Sequence, residues 1–235
     1  MSGLDIITNV ISDFIFVLVI TLLLLLTNWI HRCGRLNKAQ RFFGFDQQTQ
    51  VSIYVSCFEH SGMSTKGVVN AQEYETAIEM RNALQQIQRR GVAHKLRSYL
   101  AGLIGIDLSF PEPAIKISPL EGVTNPPCCP GNMILIGGPV NNQLTKFHMQ
   151  ASSQIRFNEN TEKYQKRDGK SYQDIEPSGD VAVVERLVIE KQVVILTHGF
   201  GEEQTRRAVR YLIAHWERLH NLHVKHGRGE FSILV

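Results

Sequence analysis

Apolar residues are spread unevenly along the chain, and the longest run comes first. From Ile6 to Ile30 the sequence reads IITNVISDFIFVLVITLLLLLTNWI, with Asp13 as its single charge, and from Phe14 to Leu26 every residue but Thr21 is strongly apolar. About 20 such residues span a hydrocarbon core as a helix, and a surface apolar all round suits lipid rather than one side of a soluble core. No Lys or Arg precedes the run, whereas Arg32, Arg35, Lys38 and Arg41 follow it. The positive-inside rule then puts the C-terminal side in the cytoplasm, with Trp29 at that boundary. Residues 1–30 read as a membrane anchor held in the bilayer by residues 6–30, residues 31–50 as a basic juxtamembrane linker, and residues 51–235 as the folded domain.

Within 51–235, short apolar runs alternate with amphipathic stretches. Val51 to Phe58 has the β-branched and aromatic content of a strand. Ala71 to Arg90 reads as a helix carrying Tyr74, Ala77, Ile78, Leu84 and Ile87 on one face, stopped by Gly91, and Ala93 to Leu103 reads as a second helix. Met133 to Ile136 is an unbroken apolar strand before the turn Gly137-Gly138-Pro139, with a helix from Asn141 onward. Ser153 to Phe157, a hairpin from Lys163 to Tyr172 turning at Asp168-Gly169, and Val181 to Leu187 read as an antiparallel insertion or sheet edge. Gln192 to Thr197 is a strand, His198 to Gly201 a loop, Glu202 to Leu219 an amphipathic helix, and Phe231 to Val235 a last strand. Three strand-then-helix units predict an α/β, Rossmann-like three-layer domain with a largely parallel sheet and an antiparallel hairpin insertion, preceded by one transmembrane helix.

Charge and cysteine usage remove several classes. With 25 Lys+Arg against 22 Asp+Glu the net charge is +3, too small to predict a nucleic-acid partner. Cys33, Cys57, Cys128 and Cys129 show no CxxC spacing, so neither a disulfide framework nor a zinc site is expected, and no cofactor is predicted. His220, His223 and His226 have helical spacing but lack a carboxylate partner, and read as a solvated basic tail at a helix C-terminus.

In open parallel sheets ligands bind beyond the carboxyl ends of the strands. Three loops qualify here: Glu59 to Thr65, Gly137 to Asn142, and His198 to Thr205. The second either offers main-chain N–H groups to an anionic ligand or is simply a tight turn with Asn141 or Asn142 capping the helix. The third is similar, but Glu202 and Glu203 offset the attraction of its helix for phosphate. Candidate ligand-binding residues are Gly137, Gly138, Asn141, Asn142, His198, Gly199, Gly201 and Thr205. Candidate catalysts are Glu59, in CFEH, and His198, which a neighbouring Glu202 or Glu203 would orient. Glu73 and Glu75 read as dipole partners of their helix. The HGF tripeptide resembles an α/β-hydrolase oxyanion loop, yet the chain has no GxSxG elbow.

ILIGGPVNN together with VVILTHGFGEEQTRRAVRYL resembles the paired Gly-rich turns of prokaryotic Rossmann-like ligand-sensing domains of the SLOG and TIR-like kind, often fused to membrane helices. The GGPxxN turn is also similar to a surface-layer protein domain. The first resemblance implies recognition of a nucleotide-like molecule at Gly137, Gly138, Asn141, Gly199, Gly201 and Thr205. The expectation is a membrane-anchored cytoplasmic sensor of a small nucleotide-like or phosphorylated ligand, with self-association through the anchor. The alternatives are a nucleosidase or NAD-processing hydrolase and a structural cell-envelope module.

Overall fold

The computed structural model describes residues 3–46, 48–58, 68–90, 111–118, 131–150, 154–158, 160–161, 163–175, 181–227 and 229–235. The expected helix at Ala93 to Leu103, the loop carrying Glu59, and the Cys128-Cys129 pair lie outside these residues. Helix α1 (Gly3–Phe43) is followed by β1 (Val51–Val55), β2 (Cys57–Phe58), β3 (Val68–Val69), α2 (Ala71–Arg90), β4 (Ala114–Ile117), β5 (Asn132–Ile136) and α3 (Gln143–Met149). Next come β6 (Ile155–Asn158), β7 (Lys163–Asp168), β8 (Ser171–Asp174), β9 (Ala182–Ile189), β10 (Gln192–Gly199), α4 (Glu202–Leu219), a π-helical turn (His220–Val224) and β11 (Phe231–Leu234).

Six strands form a mixed, mostly parallel sheet in the order β4-β1-β5-β10-β9-β11. β4, β1, β5 and β10 run parallel, while β9 is antiparallel to both β10 and β11. The chain moves from β1 to one side for β4, then returns past β1 for β5, so the strand order reverses between β1 and β5.

The sheet is buried on both faces, which is why its parallel strands read as continuous apolar runs. Ile53, Ile134, Ile136 and Ile195 face a core closed by α2, α4 and the end of α1. Tyr54, Met133, Leu135 and Leu196 face the opposite core, covered by α3 and a separate antiparallel sheet, β6-β7-β8. The expected insertion is this small sheet. The strand expected from Val181 belongs instead to the main sheet, as β9. A two-residue turn at Glu190 and Lys191 joins β9 to β10, and both residues have positive φ (48° and 72°), as a type I′ hairpin requires.

α2 is rotated from the face expected for it. Glu73, Thr76, Ala77, Met80 and Leu84 point inward, while Tyr74 is exposed and Ile78 half-buried. The inward Glu73 carboxylate accepts the Ser56 N–H at 3.1 Å, and that bond fixes the rotation at the first turn.

The segment expected to be a basic linker is instead part of the fold. α1 is one helix of 41 residues, and Phe14 to Leu26 lies open on its surface. Its apolar window has a mean hydropathy of 2.3 and no buried residue, so this helix is long and apolar enough to cross a membrane. Beyond it, Leu36, Ala39, Phe42 and Phe43 enter the core, where Phe42 and Phe43 pack against Trp216 at ring-centroid distances of 6.2 and 5.8 Å. Arg35 bonds Glu217 at 2.7 Å.

The helix stops at Gly44, whose φ of +77° is the left-handed geometry of a C-terminal cap. Its N–H returns to the Gln40 carbonyl at 2.8 Å, and Asn132 at the start of β5 donates to its carbonyl. The orphan carbonyls of the last turn go to Arg186 of β9. Its Nε donates to Phe42 at 2.9 Å, Nη2 to Arg41 at 3.0 Å, and Nη1 to the Gly229 carbonyl. Burial pulls this guanidinium down to about 10, still charged at neutral pH, so a full positive charge sits against the negative end of the helix dipole.

Removing it leaves three carbonyls without their donor, that of Phe42 in a buried bond, and bonds to a charged donor are each worth about 1.5–3 kcal/mol. Arg186→Leu is expected to lower stability by roughly 3 kcal/mol or more. Denaturant titration in detergent, followed through the fluorescence of Trp216 at the docking site, checks this, and an unchanged midpoint contradicts it.

Candidate ligand-binding site

The turn after β5 is built by its own residues. Gly137 has φ +113°, and its N–H bonds the Thr197 carbonyl of β10 at 3.1 Å. A Cβ there would strike the Ser56 hydroxyl and lie 2.8 and 3.0 Å from the Glu73 carboxylate oxygens, so only glycine fits. The Gly138 carbonyl then accepts from the N–H groups of Asn141 (3.2 Å) and Asn142 (2.8 Å), closing the turn. Asn142 is fully buried and caps α3: its Oδ1 accepts from Thr145 N–H at 3.1 Å and from the Ser118 hydroxyl at 3.0 Å, and its Nδ2 donates to the Ile136 carbonyl at 3.0 Å. Of the two readings of this turn, the cap therefore describes Asn142.

A cavity of about 200 Å³ opens at the carboxyl ends of β5 and β10, beside the reversal of strand order. Gly138 to Asn141 form one wall, Gly199 to Glu202 with Thr205 a second, Asn70 and Glu73 of the α2 start a third, and Phe157 and Tyr164 of the small sheet a fourth. Two of the three expected loops thus converge. The third begins at Glu59, outside the described residues.

Five of the expected ligand-binding residues, Gly138, Asn141, Gly199, Gly201 and Thr205, line this cavity. Gly137 and Asn142 do not, since they build the turn from behind. His198 does not either, which corrects both of its expected roles. It is the penultimate residue of β10, with a fully buried side chain. Its ring stacks on Tyr164 (5.1 Å, 16°), with Nδ1 3.1 Å from the Tyr164 hydroxyl and Nε2 4.0 Å from Glu185 Oε2. Neither Glu202 nor Glu203 orients it, and Tyr164 stands between it and the cavity. Glu185 in turn accepts from the Ser232 hydroxyl of β11. Burial, and then the nearby Glu185 charge, push the Tyr164 phenol up, so it stays protonated.

Residues read as bland carry most of the chemistry. Glu73 is buried, and loss of solvation raises its carboxyl above the ordinary 4.5 despite the hydrogen bonds from Ser56. Asn70 caps α2 through Gln72 N–H (2.8 Å) and Glu73 N–H (3.3 Å), and its Nδ2 donates to Glu202. The aromatic wall is Phe157, Tyr164 and Phe200. Tyr164 meets Phe157 at 5.6 Å and 65°, and Phe200 at 4.8 Å and 84°. The arginines of α4 are engaged elsewhere: Arg206 and Arg210 both bond Glu79 of α2, at 2.8 and 3.1 Å. The three histidines near the C-terminus separate, with His220 buried, His223 stacked on Phe231 at 4.7 Å and His226 exposed.

In comparisons with known proteins, no family model, no curated protein and no solved structure matches the chain.

Because Glu73 binds its proton more tightly folded than unfolded, its contribution to stability is complete below pH 4.5 and is lost as pH rises through its raised folded value. Glu73→Gln removes that loss. Denaturant midpoints measured from pH 4.5 to 8 are expected to move in favour of Glu73→Gln over wild type as pH rises, and parallel curves would contradict the shift.

Proposed function

We propose that the protein is a single-pass membrane protein whose cytoplasmic, Rossmann-like domain binds a small nucleotide-like ligand and acts as a sensor. One observation carries this reading: the turns after β5 and β10 meet the start of α2 around one cavity beside the strand-order reversal, the usual ligand position in open parallel sheets. The membrane placement is supported by the exposed apolar length of α1, and the orientation by Arg35, Lys38 and Arg41 following the apolar run.

The lining favours the base and ribose of such a ligand over its phosphate. Among the described lining residues there is no Lys or Arg, and Glu202 repels anions. Carboxylates and the Asn70 and Asn141 side chains suit ribose hydroxyls, and the aromatic wall suits a planar ring.

A hydrolase acting on a nucleoside is the second reading, and Glu73 favours it. A buried carboxyl with a raised proton affinity, open to a cavity, is suited to general acid catalysis at a glycosidic bond. His198 has no part in that reading.

Thermal-shift titration of the full chain in detergent with nucleosides and nucleotides tests binding. A shift is expected with nucleosides and is expected to vanish in Gly138→Leu, whose side chain would start 3.3 Å from the Tyr164 hydroxyl and fill the cavity. No shift with any of them removes the reading. Products formed from a bound nucleoside, and lost in Glu73→Gln, replace sensor by hydrolase. Protease added to intact cells is expected to leave the domain uncut, and cutting there would reverse the orientation.

A further inference from the structure

We propose that the cavity selects a ligand bearing an organic cation, a quaternary ammonium or a positively charged ring, held between the aromatic wall and the two carboxylates. The proposal rests on the cavity being a ligand site, as proposed above, and adds the sign of the ligand's charge.

Three observations converge on it. Phe157 and Phe200 are half-buried and both line the cavity. A cation seated over the face of an aromatic ring is attracted by its quadrupole, more strongly where water is excluded. Glu202, on the wall of Phe200, supplies negative charge to the same cavity, Glu73 on the next wall adds a second carboxylate once it is ionised, and no Lys, Arg or His stands among the described lining residues to neutralise them. Of the α4 arginines, Arg206 and Arg210 are turned to Glu79 and Arg207 to the Val235 carbonyl. The positive ends of α2 and α4 oppose a cation, each as about half a charge, but the Asn70 cap and Glu73 answer the first and Glu202 and Glu203 the second. Among the described residues the bonds of Glu73 and Glu202 run to the Ser56 N–H and the Asn70 amide, which are neutral donors.

About 200 Å³ is room enough for a trimethylammonium group or a charged ring beside the carboxylates.

Saturation-transfer NMR on the full chain in a maltoside detergent tests the inference with four probes: choline, its neutral isostere with a tert-butyl group, adenosine and adenosine monophosphate. Choline is expected to bind at least about tenfold more tightly than the isostere, the scale of a cation–π contact of about 1–2 kcal/mol. Phe200→Leu and Glu202→Gln are each expected to weaken choline several-fold, and Phe200→Trp to restore it. Affinity is expected to fall at acid pH, where the carboxylates protonate.

Equal binding of choline and its isostere overturns the cation while leaving the cavity a ligand site. Adenosine bound without choline does the same, and adenosine monophosphate bound more tightly than adenosine reverses the sign of the charge. If none of the four binds, this inference and the proposed function fall together.

Discussion

A guanidinium buried against the end of a helix holds this molecule together. α1 arrives from the N-terminus with its last carbonyls unpaired, and a helix end placed in a protein core without partners is unstable. Arg186, in the middle of β9, supplies donors to two of those carbonyls and one to Gly229. It also lies 5.9 Å from the centre of the Phe42 ring. The helix then terminates at Gly44, and Asn132 bonds both the Gly44 carbonyl and the N–H of Val193. Two strands of the sheet are thereby registered on the helix end. The apolar helix runs into the sheet without a break.

The same economy of means governs the cavity. Its walls are turns whose shape comes from internal bonds: Gly137 can sit where it does because it lacks a side chain, and Asn142 spends its whole amide on Thr145, Ser118 and Ile136. The polar and aromatic groups that remain open belong to neighbouring elements, α2, α4 and the small sheet. Behind the wall, the Tyr164 hydroxyl meets His198 Nδ1, and Glu185, with Oε2 4.0 Å from His198 Nε2, accepts from Ser232 at the sheet edge. That contact keeps the Tyr164 ring fixed against Phe157 and Phe200.

Much of this was legible in the sequence, for physical reasons that differ by element. Strands β1, β5 and β10 announce themselves because burial on both faces leaves no room for polar alternation. The turns after β5 and β10 are marked by glycines that the backbone needs. His198 reads as a loop residue, but β10 runs two residues further than its apolar stretch, held there by pairing of His198 with Val183 and Gly199 with Ala182. Glu73 reads as a solvated dipole partner because an acid in a first helical turn usually faces water, and only the acceptor role toward Ser56 turns it inward. Arg186 gave no signal, since its partners lie 144 and 145 residues away in sequence. For the same reason residues 31–43, rich in cations, looked like a tether: Leu36, Ala39, Phe42 and Phe43 recur at helical spacing, but between basic residues the stripe is narrow.

The absence of a joint between Ile30 and Leu36 has a mechanical corollary. A continuous helical rise of roughly 9 Å, from Ile30 to Leu36, separates the lipid-compatible surface from the core. If α1 stands in a bilayer, its lean is the domain's lean. Helices tilt to match local hydrocarbon thickness, so a thinner leaflet pair would swing the whole sheet toward the surface like a mast stepped in its keel. The clasp formed by Asn132 and Gly44 lies at the amino ends of the strands, and the cavity at their far ends, roughly 15 Å away, so the two are carried at opposite ends of the same rigid sheet.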